Sequence, residues 1–180
     1  MALAQRKVSE EELAFQEEID AWQKLATPGE PHRRLAGRAG RWSTQSKHWM
    51  ELDKPPVESA GSCERKMILG GRFLQEEFNG DLMGNPFTGI GITGYDNQSN
   101  KYVMSWVDTL STGIYRFEGT ASEDGKTITV EGRFKHPVKG LGTWRGVTRF
   151  VDDRTEVAEM HGTYENGAEE RCVTTYTRKS

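Results

Sequence analysis

Residues 63–80 read CERKMILGGRFLQEEFNG. Two strand-like runs flank Gly70-Gly71, a dipeptide suited to a hairpin because both residues accept positive φ. A two-residue turn there sets Leu69 opposite Arg72. From that register Met67 faces Leu74, Arg65 faces Glu76 and Cys63 faces Phe78. Side chains alternate across a strand, so these eight share one face. The other face pairs Ile68 with Phe73, Lys66 with Gln75 and Glu64 with Glu77. The first face is the more apolar, yet it holds a guanidinium directly across from a carboxylate. In a dry core the attraction of such a pair often fails to offset its desolvation. A hollow sheet with a wet or ligand-filled interior relaxes that cost. The hairpin therefore argues for a barrel over a sandwich, with Glu76 facing a cavity and held there by Arg65.

Further along, the same period-two pattern continues. From Arg41 onward, turn signals recur every ten residues or so, as in all-β sandwiches and barrels. Strands are expected at 41–50, 58–69, 72–79, 87–95, 101–109, 114–122, 126–134, 143–151, 155–164 and 169–178. No helix-length stretch separates them, so the sheet is expected to be antiparallel. Asp124-Gly125 aligns Ala121 with Ile128, Gly119 with Val130 and Phe117 with Gly132. A turn at Asp96–Asn100 brings Trp106 across from Gly91, where a missing side chain leaves room for the indole. Asn166-Gly167, read as a two-residue turn, pairs Thr163 with Glu170, His161 with Cys172, Glu159 with Thr174 and Val157 with Tyr176. Polarity does not decide which face of that last hairpin lies inside. The expected fold is all-β: a closed antiparallel barrel of about ten strands, lipocalin-like, of a size that can hold one small ligand.

Ahead of the barrel, Ser9 and Glu12 have capping-box spacing, and Val8 and Leu13 fit the hydrophobic staple around them. Phe15, Ile19, Trp22 and Ala26 follow as one apolar stripe before Thr27-Pro28-Gly29 ends the helix. That helix is expected to pack on the barrel or on a second subunit, with a homodimer as one option. The expected division is 1–29 as an N-terminal helical extension and 30–180 as the barrel. Within the linker, Pro31 to Ala36 has the makings of a short helical turn or two.

Composition excludes several classes. The net charge is −3 over 180 residues with both signs interspersed, and no basic block points to nucleic acid. The N-terminal stretch holds no apolar run long enough for a signal peptide or membrane span. A cytoplasmic protein is therefore expected, and in that reducing compartment Cys63 and Cys172 are expected as free, buried thiols. Zinc-site spacings are absent, so no metal or cofactor is expected.

The stretch 63–114 carries LGGRFLQEEFNG, MGNPFTGIGITGYDN and KYVMSWVDTLSTGI, and TTYTRK stands near the C-terminus at 174–179. These motifs resemble a bacterial family, domain of unknown function 1579 (DUF1579). LAGRAGRW stands where that family has a leading Leu-x-x-Leu-x-Gly-x-Trp-like segment, with Ala39 departing from it. HPVKGLGTW is shorter than the family's loop. The resemblance covers roughly 30–180 and leaves the helix at 9–26 as an addition. It implies a lipocalin-like (calycin) barrel, no established reaction and no catalytic residues to carry over.

Candidate site residues follow from the inner faces. Arg65 and Glu76 could clamp a polar ligand group, since arginine suits bidentate binding of an acid; the ordinary alternative is a structural ion pair. Trp42, Tyr95, Tyr102 and Trp106 could line an apolar pocket, each otherwise being packing. Asp108 stands beside the Ser111-Thr112-Gly113 turn and is more readily a turn cap than a base. His161, if its face turns inward, lies near Cys172, Glu159 and Tyr176. There it could ligate haem iron, as in nitrobindin-like barrels, or serve as a general base; a hydrogen-bonded barrel histidine is the ordinary reading. His48 on the first strand shares the ambiguity. The expected function is a binding barrel for a small hydrophobic or amphipathic ligand carrying an acidic group. The alternatives are an enzyme using Glu76, Asp108 or His161, and haem binding through His161.

Overall fold

The computed structural model describes residues 9–180. Helices α1 (Glu10–Ala26) and α2 (Glu30–Ala36) precede ten strands. These are β1 (Gly40–Trp49), β2 (Val57–Ile68), β3 (Phe73–Leu82), β4 (Asn85–Asp96), β5 (Lys101–Asp108), β6 (Tyr115–Ala121), β7 (Thr127–His136), β8 (Gly140–Phe150), β9 (Thr155–Tyr164) and β10 (Glu169–Arg178). Each strand pairs antiparallel with its sequence neighbours, and β1 closes on β10, so the barrel has no free edge.

The register expected at the first hairpin is the one found: Arg65 opposes Glu76, Met67 opposes Leu74 and Cys63 opposes Phe78. The turn itself is wider than two residues. Leu69, Gly70 and Gly71 are all at positive φ (49°, 64° and 84°), and the amides of Gly71 and Arg72 both donate to the Ile68 carbonyl. One added loop residue on each side leaves the pairing unchanged. The Ala121–Ile128 and Gly91–Trp106 pairings also hold.

The last hairpin differs from expectation. Glu165–Gly167 form a three-residue loop, with Gly167 at φ 81° and the Tyr164 amide donating to the Ala168 carbonyl at 3.0 Å. A left-handed glycine closing a three-residue loop is a common hairpin. It moves β10 by one residue, so Arg171 opposes His161, Cys172 opposes Met160 and Tyr176 opposes Glu156. A one-residue slip sends every side chain of one strand to the other face. Glu156, Ala158, Met160 and Tyr164 therefore share the inner face with Glu170, Cys172, Thr174 and Tyr176.

One end of the barrel is sealed. Helix α2 packs across it, and Leu35 is buried against Leu74 and Tyr102, with Ala39, Met67, Tyr95, Ala121 and Ile128 around them. The Arg178 guanidinium ties the same end to the linker. It donates to the carbonyls of Ala39, Gly37 and Asp153 at 2.5, 2.5 and 2.9 Å, and lies 4.3 Å over the Trp42 ring.

Helix α1 has the expected capping box. The Glu12 amide donates to Ser9 Oγ at 3.1 Å, and the Ser9 amide donates to Glu12 Oε2 at 2.9 Å. Val8, the other half of the expected staple, lies outside the described residues. Ser9→Ala is expected to cost about 1 kcal/mol of helix stability, read as faster amide exchange within residues 10–16 and an unchanged barrel melting temperature. The expected packing of α1 on the barrel is not found within this chain. No α1 residue is buried, and Phe15 and Trp22 are 66% and 65% exposed. The helix is held at its C-terminal end, where Asn97 Nδ2 donates to the carbonyls of Leu25 and Thr27 at 2.8 and 3.0 Å. Among the described residues, no helix is long and apolar enough to cross a membrane.

Candidate functional site

Glycines on the inner face let aromatic rings lie against the barrel wall. A Cβ on Gly89 would stand 2.2 Å from Trp106 Cζ2, and one on Gly91 would stand 3.1 Å from Trp106 Cε3. The indole therefore lies flat over bare backbone on β4 rather than reaching for the barrel axis. Trp144 lies over Gly162 in the same manner, 2.6 Å from where a Cβ would be. Rings folded against the wall thicken it without filling the middle. Accordingly Phe78, Met104, Trp106, Phe117, Trp144 and Met160 all point inward yet remain only half-buried, while Trp42, Leu74 and Tyr102 at the sealed end are buried. Gly89→Ala is expected to push the indole toward the axis, destabilising the fold by about 1–3 kcal/mol and shifting tryptophan emission. An unshifted spectrum with an unchanged melting temperature would contradict the flat packing.

At the floor of the lumen, Arg65 is held by two carboxylates. Its Nε donates to Glu76 Oε2 at 2.5 Å and its Nη1 to Glu156 Oε2 at 2.8 Å. Side-chain exposure is 9% for Arg65, 15% for Glu76 and 2% for Glu156. The guanidinium also sits 4.5 Å from the Tyr176 ring and 5.2 Å from the Trp42 ring. Arg38 Nε approaches Glu156 Oε1 at 3.6 Å from the α2 side. Burial alone would lower the pKa of Arg65; Glu76 and Glu156 outweigh it and raise it well above the usual arginine value.

Burial, reinforced by Glu76, pushes the Cys63 thiol up to about 12 from an ordinary 9.0. The Tyr176 phenol is raised by the same two causes in the same order, and burial raises Cys172. All three are neutral acids whose ionisation is disfavoured in the folded state. Their stability contribution is complete below the unfolded-state pKa and disappears as pH rises through the folded-state value. Stability against urea is therefore expected to fall between pH 9 and about 12, where Cys63 titrates, with a shallower fall in Cys63→Ser. The native Cys63 thiol is expected to resist alkylation at neutral pH and to react once the chain unfolds.

The opposite end, the mouth, holds a second polar group. Lys139 Nζ, on the β7–β8 turn, contacts Glu170 Oε1 and donates to the Met50 carbonyl at 3.2 Å. Trp144 Nε1 donates to Tyr164 Oη at 3.1 Å, and Tyr164 Oη donates to Glu170 Oε2 at 2.9 Å. His136 Nδ1 accepts from the amides of Val138 and Lys139 at 3.1 and 3.0 Å, which shapes that turn. His48 faces the lumen across from Cys172; its Nε2 is buried without a hydrogen-bond partner, and burial lowers its pKa. Asp108 caps the β5–β6 turn as expected, with Oδ1 accepting from the Leu110 amide at 2.9 Å and Oδ2 accepting from Trp106 Nε1 at 2.8 Å.

Nine of the eleven candidate residues thus share the inner face. Trp42, Arg65, Glu76 and Tyr176 form the floor, and Trp106 lines the lumen. His48 and Asp108 stand toward the mouth. Tyr95 and Tyr102 pack at the sealed end, with ring centroids 5.1 Å apart. The two exceptions are Glu159 and His161, which the one-residue shift of the last hairpin leaves outside. His161 Nε2 lies 2.8 Å from Glu169 Oε2 with its side chain 42% exposed, and Glu159 meets Arg171 at 2.9 Å and Arg149 at 3.8 Å. A haem ligand or a base at His161 has no access to the lumen from there. Sequence reading missed Glu156, Glu170, Tyr164 and Lys139; the first three depended on that same register, and Lys139 on a turn that folds back over the mouth. Both cysteines are free, as expected. Among the described residues, no cluster of three or more His, Cys, Asp or Glu is placed to hold a metal ion.

A sealed floor, a meander of ten antiparallel strands and an inward aromatic lining define a lipocalin-like (calycin) barrel. The chain belongs to the DUF1579 family, described as proteins of unknown function, whose model matches residues 27–179. The match begins where α1 ends, so that helix stands outside it. Among solved structures, Rv2717c from M. tuberculosis is similar, with 14% identity, a TM-score of 0.64, and coverage of 86% of this chain and 100% of that one. The S-type phycobiliprotein lyase CPES from Guillardia theta is similar at 9% identity and a TM-score of 0.57, covering 82% of this chain and 92% of that one. Identities this low show a shared fold. Among curated proteins, no sequence matches this chain significantly.

Proposed function

We propose that this protein is a small-molecule-binding barrel whose lumen receives a partly apolar ligand. The observation that carries the reading is the aromatic lining laid flat over inward glycines, Trp106 over Gly89 above all. A protein that needed only a stable core would gain more by filling its centre, because buried voids forfeit packing contacts. Half-buried rings around an open lumen are surface reserved for something else. The acidic ligand group expected from sequence loses its principal support, because Arg65 is already held by Glu76 and Glu156.

Native mass spectrometry of protein purified from its own host is the direct test, and a co-purifying small mass is the expected result. Titration with apolar fluorescent probes should also quench tryptophan saturably, with Trp106→Leu weakening binding about fivefold or more. A bare protein in the spectrum and no saturable binding of any probe would remove the proposal.

A further inference from the structure

The inner faces of β3, β4 and β5 place six residues on a two-by-three grid. In one row Glu76 pairs with Gly91, which pairs with Trp106; in the next, Phe78 pairs with Gly89, which pairs with Asp108. Carboxylates thus occupy two opposite corners, aromatic rings the other two, and bare glycine backbone the middle. Neighbouring strands lie about 4.8 Å apart and same-face residues about 7 Å apart along a strand, so the patch spans roughly 10 by 7 Å. The rings of Phe78 and Trp106 sit 6.4 Å apart at 65°, edge to face. Because one face of the indole lies on glycine, its other face is turned to the lumen.

Of the two carboxylates on this patch, only Asp108 is left without a counter-charge among the described residues. At the floor, Arg65 and Arg38 balance Glu76 and Glu156, and at the mouth Lys139 balances Glu170. Asp108 accepts from two neutral N–H groups and meets no cation among the described residues. An anion kept in a half-buried site without a counter-charge favours a cation beside it. Its hydrogen bond from Trp106 Nε1 is charge-assisted and adds electron density to the indole that a cation would face.

We infer that the lumen selects an organic cation, a lipophilic amine or quaternary ammonium whose charged group sits over the Trp106 face beside Asp108 while its apolar body lies along Phe78 and the aromatic wall. This deepens, and rests on, the reading of the protein as a small-molecule-binding barrel. It reverses the charge expected of the ligand from sequence.

The test is calorimetric titration of the full chain at neutral pH with three probes of one shape: 1-naphthylmethylamine, 1-naphthylmethanol and 1-naphthoate. The amine should bind about tenfold tighter than the alcohol, and the naphthoate weaker than either. On Asp108→Asn the amine should lose most of its advantage over the alcohol, both affinities being read on that same variant. Melting curves establish that the variant is folded. Equal binding of amine and alcohol, or tightest binding of naphthoate, overturns this inference and leaves the binding barrel standing. Binding of none of the three overturns both.

Discussion

Arg65→Met is expected to lower the melting temperature by about 10 °C, an effect of about 3–5 kcal/mol in a chain of this size. The substitution keeps the volume and removes the charge that Glu76 and Glu156 share. Two carboxylates, 15% and 2% exposed, would then face each other with only Arg38 at 3.6 Å from one of them. Removing one member of a buried ion cluster costs far more than removing all of it. The combination of Arg65→Met with Glu76→Gln and Glu156→Gln should accordingly recover most of the loss. A single variant melting within about 2 °C of the parent would show that the floor is wetter and the pairs weaker than their geometry implies.

Trp42→Ala is the second large effect, with an expected cost of about 3–5 kcal/mol in urea denaturation. Trp42 is fully buried at 0% exposure and lies between two guanidinium groups, Arg178 at 4.3 Å and Arg65 at 5.2 Å. Its Nε1 donates to the Arg38 carbonyl at 3.1 Å, so the residue joins α2, the linker, β1 and the floor. Trp42→Phe keeps an aromatic face for both arginines and loses the N–H donor; it should cost about 1–2 kcal/mol. Equal losses in the two variants would mean that the hydrogen bond, and not ring volume with stacking, carries the residue's role.

The two hairpins around Gly70-Gly71 and Asn166-Gly167 show what a sequence reveals of a register. Both carry glycines at positive φ, so both turns were legible as turns. In the first, widening the loop evenly kept Arg65 across from Glu76, so the ion pair formed as read. In the second, a three-residue loop took the place of a two-residue one, and the odd count exchanged faces. Turn chemistry at Asn-Gly serves both loop lengths, and mixed polarity on both faces of β9 gave no independent signal. Glu156 and Glu170 were therefore unreadable as interior residues, and His161 was open to a role that its outward position denies it. For α1, the capping box was decisive because it is a contact over three residues. What the helix packs against was not, because an apolar stripe carries no address.

By itself the sequence determined ten antiparallel strands, the capped helix ahead of them and the Arg65–Glu76 pairing, all of which rest on period-two alternation and turn glycines acting over a few residues. Only the tertiary structure decided that Glu156 joins Arg65 from a strand about ninety positions away, and that Trp106 folds flat over Gly89. Those outcomes depend on the register accumulated around the whole ring, which no single stretch of chain encodes.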